Sequence, residues 1–462
     1  MMNEKLTALI LCVAMLISVC LLSACTVFSP PDDGGDGEEE PPKTEEPPKT
    51  EEPPYEAPPS DYDPDDWFTG DPAMTFEAKL DQTLAFALAK IDYAIKSYDG
   101  KFPNAYSVDL VYKKPGGNTG GWVQGFWPGV LWHAYELSGK EKYKELATTH
   151  VASFYKRIDE NLGVDHHDMG FLYTPSCVAA YKLTDNETAR TAAIMAADQL
   201  LTRYHADAGF IQAWGTVGDP DEYRLIIDCI MNLPLLYWAS EETGDTKYAD
   251  VANAHLSSTL TTIFREDGST YHTYYFDPET KLPSHGVTKQ GYSDESAWSR
   301  GQAWAVYGTA LAYGYSANPE ALAKFKEATD YFLAHLPEDN VPYWDFDRSG
   351  IAGEPRDTSA AAITICGILE GCQYLELTDP DRARYLAAAE DMMEALIDNF
   401  FTASRPIFSS NTMANGLLAG VTQSKMSGAG IEEMTPYGDY YFMEALNRFI
   451  SLKGGELWDP YW

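Results

Sequence analysis

The chain has 462 residues, with 33 basic and 70 acidic side chains and a formal net charge of −37 at pH 7. That charge excludes a nucleic-acid-binding protein, which needs a basic surface to contact phosphates. Hydrophobic residues make up 45% of the chain, enough for a large core, and aromatic residues make up 13%. Core packing and stacking on the apolar faces of sugar rings explain this aromatic content equally well.

The start of the chain has the pattern of a secretory signal. Residues 1–24 combine a short polar start with an apolar stretch from Leu6 to Leu22. The sequence Leu22-Ser23-Ala24-Cys25 resembles a bacterial lipobox, which implies cleavage before Cys25 and acylation of its thiol. The alternative is an uncleaved transmembrane anchor, for which the stretch is short. We therefore expect an exported, membrane-anchored lipoprotein of the bacterial cell envelope or cell surface.

Residues 25–67 predict a lipidated cysteine followed by a disordered tether. Between residues 30 and 67 lie 11 prolines, 15 acidic residues and two lysines, and PPKTEE occurs twice, at 41–46 and 47–52. Such a segment cannot bury enough apolar surface to offset its chain entropy, and proline and like charges keep it extended. Since no similar linker follows, residues 68–462 predict one domain.

The domain sequence alternates two kinds of helix. Amphipathic segments with apolar residues three and four apart lie at 137–155, 182–201, 241–260, 315–336 and 376–396. More apolar segments precede them, at 122–137, 168–182, 227–240, 296–314 and 357–376, and a sixth pair comes from 75–98 and 437–451. The alternation indicates a buried inner layer and a solvated outer layer. We predict an all-α (α/α)6 barrel, a six-hairpin toroid, with an open solenoid as the alternative and strands confined to loops such as 268–276.

Polar residues at the amino-terminal ends of the apolar helices are expected to converge on one rim. Asp228 lies within the apolar run 225–231. Burial raises the pKa of a carboxyl, so Asp228 is either a general acid or a helix cap. Asp168 follows His166 and His167. Asp168 has three possible roles: a second carboxylate for glycosidic chemistry, a ligand in a weakly indicated His/Asp metal site, or a helix cap. Arg300 would pair with a substrate carboxylate or with an internal acid.

The domain cysteines predict neither a zinc site nor a dense disulfide framework. Cys177, Cys229, Cys366 and Cys372 lie in apolar contexts without CxxC spacing. Free cysteines in such contexts behave as small hydrophobic residues, and a single bridge among the four stays open.

Five motifs carry a resemblance to a known family. They are, in order, GFWPGVLWHAYELSG, HHDMGFLY, IIDCIMNLPLLYWA, WSRGQAWAVYG and YGDYYFMEAL. Together they resemble the unsaturated glucuronyl hydrolases, glycoside hydrolase family 88, over residues 100–450. The resemblance implies an (α/α)6 barrel and a hydrolytic reaction that needs neither metal nor organic cofactor.

The resemblance also implies a substrate and a mechanism. Polysaccharide lyases leave a C4=C5 double bond on the non-reducing uronate of a chain, and the family removes this unsaturated sugar by hydration. Asp228 matches the family's acid/base aspartate, which implies protonation of C4 and activation of the water that attacks C5. Asp168 matches the partner aspartate, which orients the sugar hydroxyls and tunes Asp228.

Further matches imply the substrate-binding residues. His167 matches the family's neighbouring histidine, and Trp122, Phe126 and Trp214 match aromatic positions. A histidine and a glutamine near the uronate match His285 and Gln302. Some members that prefer sulfated disaccharides carry a Ser-x-x-Ser-x-Lys motif before the GDYY-like motif. This chain keeps Ser424 and Ser427 but has Ala429 in the lysine position.

Two other functions compete with this interpretation. Unsaturated rhamnogalacturonyl hydrolases, which act on pectin fragments, tend to carry Arg-Gly-Asn-Gly-Trp where residues 300–304 read Arg-Gly-Gln-Ala-Trp. A non-catalytic glycan-binding lipoprotein would need no acid in an apolar helix. Among substrates for a glucuronyl hydrolase, fragments of chondroitin, hyaluronan and heparin stay open.

Overall fold

The structure, a computed structural model, describes residues 74–403 and 414–462. Within these ranges the chain forms thirteen α-helices. In chain order, α1 to α13 are Phe76–Tyr98, Phe126–Ser138, Glu141–Asp159, Met169–Tyr173, Ala179–Thr184, Glu187–Leu201, Leu233–Thr243, Lys247–Thr262, Ser299–Ser316, Pro319–Ala334, Thr358–Gly371, Pro380–Asn399 and Pro436–Lys453. The signal segment, the tether and Cys25 lie outside the described residues, so those assignments stay predictions.

The helices form the two layers that the alternation predicts. Along α3, an outer helix, Tyr143, Ala147, Val151 and Phe154 are buried at spacings of three and four, while intervening residues reach solvent. Along α11, an inner helix, all fourteen residues are buried. The outer helices therefore present one apolar stripe to the ring of inner helices, which is apolar on all sides.

The inner layer closes into a ring. In sequence order, α9 packs on α11, α11 on α13, and α13 returns to pack on α2. On the other side α2 contacts the turn that follows α4, α4 contacts α7, and α7 contacts α9. This closure confirms the (α/α)6 barrel and shows that the open solenoid was the wrong alternative.

Two inner helices depart from regular α-helix. A π-helical turn, Thr174–Val178, separates α4 from α5, and the 3-10 segment Ile227–Asn232 precedes α7. Such irregular turns often occur at functional sites. Asp228 lies in the second of them, so the backbone around this carboxyl is not that of an ordinary helix.

Five short strands lie in the loops. They are β1 Tyr204–His205, β2 Phe210–Ile211, β3 Arg224–Ile226, β4 Thr273–Phe276 and β5 Pro283–Val287. β1 pairs with β2, and β3, β4 and β5 form an antiparallel sheet in that order. The pairing brings β3, which leads directly into Asp228, beside the loop predicted at 268–276.

The described residues contain no helix long and apolar enough to cross a bilayer. The four domain cysteines are buried free thiols. The bridge that the sequence left open is thus not formed in this structure.

Asp439, in the first turn of α13, anchors the loop that leads into this helix. Its Oδ1 accepts hydrogen bonds from the backbone N–H groups of Leu417 and Leu418, both at 2.8 Å. The hydroxyl of Tyr112 lies 3.3 Å from Oδ2. All four residues are buried, so these bonds satisfy polar groups that water does not reach.

We expect Asp439→Ala to lower the free energy of unfolding by about 2–4 kcal/mol, because two buried N–H groups lose their acceptor. Asp439→Asn keeps an oxygen acceptor and should lower it by about 1 kcal/mol. Chemical denaturation of the three proteins measures the difference. Equal stabilities for the alanine and asparagine variants would contradict the anchoring role.

Candidate active site

One cleft collects seven of the predicted site residues. Its volume is about 650 Å³. The seven are Trp122, His167, Asp168, Trp214, Asp228, Ser424 and Ser427. Several of them come from segments just before inner helices, so the predicted convergence of these helix ends on one rim is confirmed for α2, α4 and α7.

Asp228 lies at the buried end of the cleft. Its side chain retains only 8% of its exposure, and no described residue donates a hydrogen bond to its Oδ1. Burial and, second to it, the charge of Asp168 raise the pKa of the Asp228 carboxyl, Arg300 opposes both, and the net result is a pKa of about 7. Asp228 can therefore carry a proton near neutral pH and release it within the cleft.

Asp168 has a different environment. Its Oδ2 lies 3.1 Å from Nδ1 of His166, and its Oδ1 lies 3.3 Å from Nε2 of His167. Burial by itself would raise the pKa of Asp168, but the adjacent His167 and His166 outweigh this effect and hold it below its usual value. Burial lowers the pKa of His167 to about 4. Near neutral pH the site therefore pairs an ionised Asp168 with a protonated or half-protonated Asp228.

Asn232 fixes the two aspartate-bearing segments to each other. Its Nδ2 donates to the carbonyl of Asp228 at 3.2 Å, and its Oδ1 accepts from the backbone N–H of Phe171 at 3.0 Å. Gly170 permits this approach, since a Cβ there would lie 2.6 Å from the Cα of Asn232. The side chain is fully buried, so it acts as a rigid spacer behind the cleft.

Aromatic rings form two walls. Trp122 stacks on Tyr437 with centroids 5.1 Å apart. The guanidinium of Arg224 stacks over the Trp214 ring, 4.6 Å from the ring centroid. Both tryptophans keep partly exposed faces in the cleft, which suits the apolar face of a sugar ring.

The exposed rim comes from a tight hairpin. Ser424 and Ala429 exchange backbone hydrogen bonds, each at 3.0 Å, which closes a turn containing Met426 and Ser427. Ser424, Met426 and Ser427 line the cleft. The cleft thus runs from a buried end at Asp228 to an open mouth at this hairpin.

Comparison with known proteins shows which family has this architecture. The sequence pattern of Glycosyl Hydrolase Family 88 matches residues 94–446. The chain belongs to this family. It is therefore a glycosidase, and the cleft with its two aspartates is the candidate active site.

Close relatives span nearly the same length. The unsaturated chondroitin disaccharide hydrolase of Streptococcus agalactiae is 43% identical over 388 residues, covering 83% of this chain and 93% of the relative. The crystal structure of the S. agalactiae unsaturated glucuronyl hydrolase matches with a TM-score of 0.78 and 42% identity, over 84% of this chain and 94% of that one. An aspartate variant of that enzyme, complexed with dGlcA-GalNAc6S, matches with a TM-score of 0.72 and 40% identity over the same shares.

Two predicted contact residues support the cleft from behind. Phe126 is fully buried and meets Trp122 edge-on, with centroids 6.0 Å apart. The guanidinium of Arg300 forms a buried ion pair with Asp357 and donates to Oε1 of Gln290 at 3.2 Å. Arg300 thus pairs with an internal acid, which confirms the second of its two predicted roles. Neither Phe126 nor Arg300 lines the cleft, so the structure corrects the expectation that they do.

Gln302 and His285 lie away from the cleft. The amide of Gln302 is fully buried and donates to the carbonyls of Gly268 and Ala328. His285 is exposed on β5 and stacks on the ring of Tyr275 in β4, with ring centroids 5.3 Å apart. Neither side chain lines the cleft, since that of Gln302 is committed to the core and that of His285 to the surface, so the structure gives their predicted uronate contacts no support.

The structure brings His272 and Gln290 into the cleft in their place. His272 precedes β4, and its carbonyl accepts from the N–H of Ile227 at 3.0 Å, which puts it beside Asp228. The Nε2 atoms of Gln290 and His272 are 3.3 Å apart. The sequence held a signal for His272, because it lies in the stretch 268–276 where strand structure was expected. It held none for Gln290, which precedes a loop turn.

Lys289, Gln423, Met426 and Ile226 also line the cleft without having been predicted. A contact from a loop depends on how the loop folds back, which residue spacing does not reveal. No group of three or more His, Cys, Asp or Glu side chains within 74–403 and 414–462 is placed to hold a metal ion, and His166 and His167 instead flank Asp168.

We expect Asp168→Asn to lower the pKa of Asp228 from about 7 toward its usual range, because the variant removes a nearby negative charge that favours the protonated form. Titration of the Asp228 carboxyl by 13C NMR, assigned by difference from Asp228→Asn, measures the shift. Asp165→Asn is the control, since this exposed carboxylate pairs with Arg203. An unchanged or raised pKa in Asp168→Asn would disprove the coupling.

Proposed function

We propose that the protein removes the 4,5-unsaturated uronate from the non-reducing end of lyase-generated glycosaminoglycan fragments by hydrating the C4=C5 bond. The observation that carries the proposal is the buried Asp228, whose pKa of about 7 supplies a proton donor beside an ionised Asp168. Vinyl-ether hydration begins with proton transfer to carbon, so it needs such an acid at neutral pH.

The reaction runs in two steps on one carboxyl group. Asp228 gives its proton to C4, and the positive charge that develops at C5 is shared with the ring oxygen. The Asp228 carboxylate then takes a proton from water while the water oxygen bonds to C5. The resulting hemiketal opens and releases the neighbouring sugar from C1, and Asp228 is again protonated for the next cycle.

The other residues of the buried end have positioning roles in this proposal. Asp168 accepts hydrogen bonds from the hydroxyls of the unsaturated ring, and its charge keeps Asp228 a weak acid. His272, whose pKa burial lowers to about 3, stays neutral and can hydrogen-bond a carboxylate or hydroxyl without changing the charge of the site. Trp122 and Trp214 offer faces against which the two sugar rings pack.

The relatives support the class of substrate. The first is named for unsaturated chondroitin disaccharide, and a related structure holds dGlcA-GalNAc6S, an unsaturated glucuronate joined to a sulfated amino sugar. An identity of 43% over 83% of this chain favours the same class over pectin fragments or a non-catalytic role.

We expect Asp228→Asn to lower kcat/KM on unsaturated chondroitin, hyaluronan or heparin disaccharides by about a thousandfold, because it removes the proton donor. Loss of the ultraviolet absorbance of the double bond measures turnover. Asp439→Asn is the matched control, since Asp439 is also buried with a pKa of about 7 but does not line the cleft. Comparable activity in wild type and Asp228→Asn would refute the proposal.

The pH profile follows from the same group. Asp228 must be protonated to start the reaction, and burial raises its pKa to about 7. We therefore expect wild-type kcat/KM to fall about tenfold per pH unit above pH 7. A rate that rises through this range would show that Asp228 is not the acid.

We also propose that the chain is exported and anchored by a lipid on Cys25. The support is the Leu22-Ser23-Ala24-Cys25 sequence after an apolar segment, followed by the acidic, proline-rich residues 30–67. In a bacterial host fed an alkyne fatty acid, wild type should carry the label and sediment with membranes. Cys25→Ala should carry none. A label that persists in Cys25→Ala would contradict the anchor, as would an unlabelled wild type.

A further inference from the structure

One tryptophan enters the barrel from the end opposite the cleft. The helix α13 begins at the cleft, where Tyr437 stacks on Trp122, and its 18 residues carry the chain about 27 Å to the far end. Residues 454–462, the base segment, follow that end of the helix. The base segment then turns back into the barrel, because the indole of Trp462 stacks on Tyr441, only one turn beyond Tyr437, with ring centroids 5.9 Å apart.

The position of Trp462 is fixed by hydrogen bonds as well as by packing. Only 2% of its surface is exposed. Its Nε1 donates to Oε2 of Glu444 at 2.9 Å, and its backbone carbonyl accepts from the hydroxyl of Tyr315 at 2.9 Å. Both the indole and the main chain of Trp462 are therefore held in one place on the barrel axis.

Phe171 connects Trp462 to the active site. The ring of Phe171 meets the indole edge-on, with centroids 6.1 Å apart, and packs against Trp122 at 5.4 Å. Its backbone N–H donates to Asn232, and it follows Asp168 by three residues in the same short helix. Phe171 thus has the wall of the cleft on one side and Trp462 behind it.

We propose that Trp462 is a positioning residue of the active site, because its indole fills the barrel axis behind Phe171 and so holds the Asp168 segment and Trp122 in place. This inference rests on the proposed function, since the reaction that it serves is the one proposed for the cleft. A void behind Phe171 would let its ring and the short helix shift. A displacement of about 1 Å can lower a rate by about a hundredfold.

The base segment contains a matched control. Trp458 is also buried, and its Nε1 donates to Oε2 of Glu136 at 3.1 Å, as that of Trp462 does to another glutamate. Its ring packs against Tyr461, with centroids 5.0 Å apart. No ring contact within the described ranges joins Trp458 to Phe171. Both tryptophans line a hollow of about 420 Å³ at the base, through which a small molecule could reach either position.

The test compares Trp462→Ala with Trp458→Ala. We expect Trp462→Ala to lower kcat/KM on an unsaturated chondroitin disaccharide about tenfold and to move the falling limb of the pH profile to lower pH. Looser packing admits water to Asp228 and lets Asp168 move away, and both changes lower the pKa of Asp228. Trp458→Ala should change neither quantity much. The charged and titratable groups around Asp228 are present in both variants: Asp168, Arg300, His272 and Tyr437.

Indole added at millimolar concentration provides a second readout. It can occupy the dry cavity left by Trp462→Ala, so it should restore both the rate and the pH limb of this variant and leave Trp458→Ala as it was. Indole that binds to Trp462→Ala without restoring activity would overturn the proposal. A wild-type rate and pH profile in Trp462→Ala would do the same, as would equal losses in the two variants with an unmoved pH limb.

Two further measurements keep the proposal testable. If Trp462→Ala does not fold, Trp462→Leu, which fills part of the cavity, must show the same shift of the pH limb relative to Trp458→Leu, and an unmoved limb would overturn the proposal. If wild type turned over no unsaturated disaccharide, the proposed hydrolase would fail. The 13C NMR titration of Asp228 would then decide the role of Trp462, with a lower pKa required in Trp462→Ala and not in Trp458→Ala.

Discussion

The desolvation of one carboxyl group is the constraint on which this structure depends. A carboxyl exposed to water ionises near pH 4 and cannot donate a proton at pH 7. The closed ring of inner helices shields Asp228 from most of the bulk water, and Asn232 holds its segment against the start of α4, so that Asp168 adds a negative charge nearby. The histidines beside Asp168 keep that second carboxyl ionised. One fold thus gives two aspartates opposite protonation states.

Most of the fold could be predicted because burial leaves a periodic trace. Stripes such as Tyr143, Ala147, Val151 and Phe154 mark an outer helix, and the uninterrupted apolar stretch of α11 marks an inner one. Closure of the ring was harder to predict from the sequence, because it depends on α13 packing against α2, which lies near the other end of the domain sequence. The π-helical turn Thr174–Val178 and the 3-10 segment around Asp228 were not predicted, because tertiary packing rather than residue spacing sets them.

Site residues could be predicted where a polar side chain stands in a sequence context that does not suit it. Asp228 in an apolar run and Asp168 after two histidines are such cases, and both line the cleft. The prediction failed where a polar residue had a structural use. The hydrogen bonds of Gln302 to Gly268 and Ala328 satisfy buried carbonyls, and a sequence does not distinguish that use from substrate contact. It also missed His272 and Lys289, whose positions depend on strand pairing and on a loop that folds back over Trp214.

The central claim is that the first bond formed joins a proton to C4 of the unsaturated sugar. The most direct measurement follows the reaction of an unsaturated disaccharide with the enzyme in D2O by 1H NMR. The account predicts that the C4 vinyl proton signal disappears as the neighbouring sugar is released, and that one deuterium enters C4 of the product. Release of the neighbouring sugar with the vinyl proton intact would show ordinary cleavage at C1 and would contradict the account.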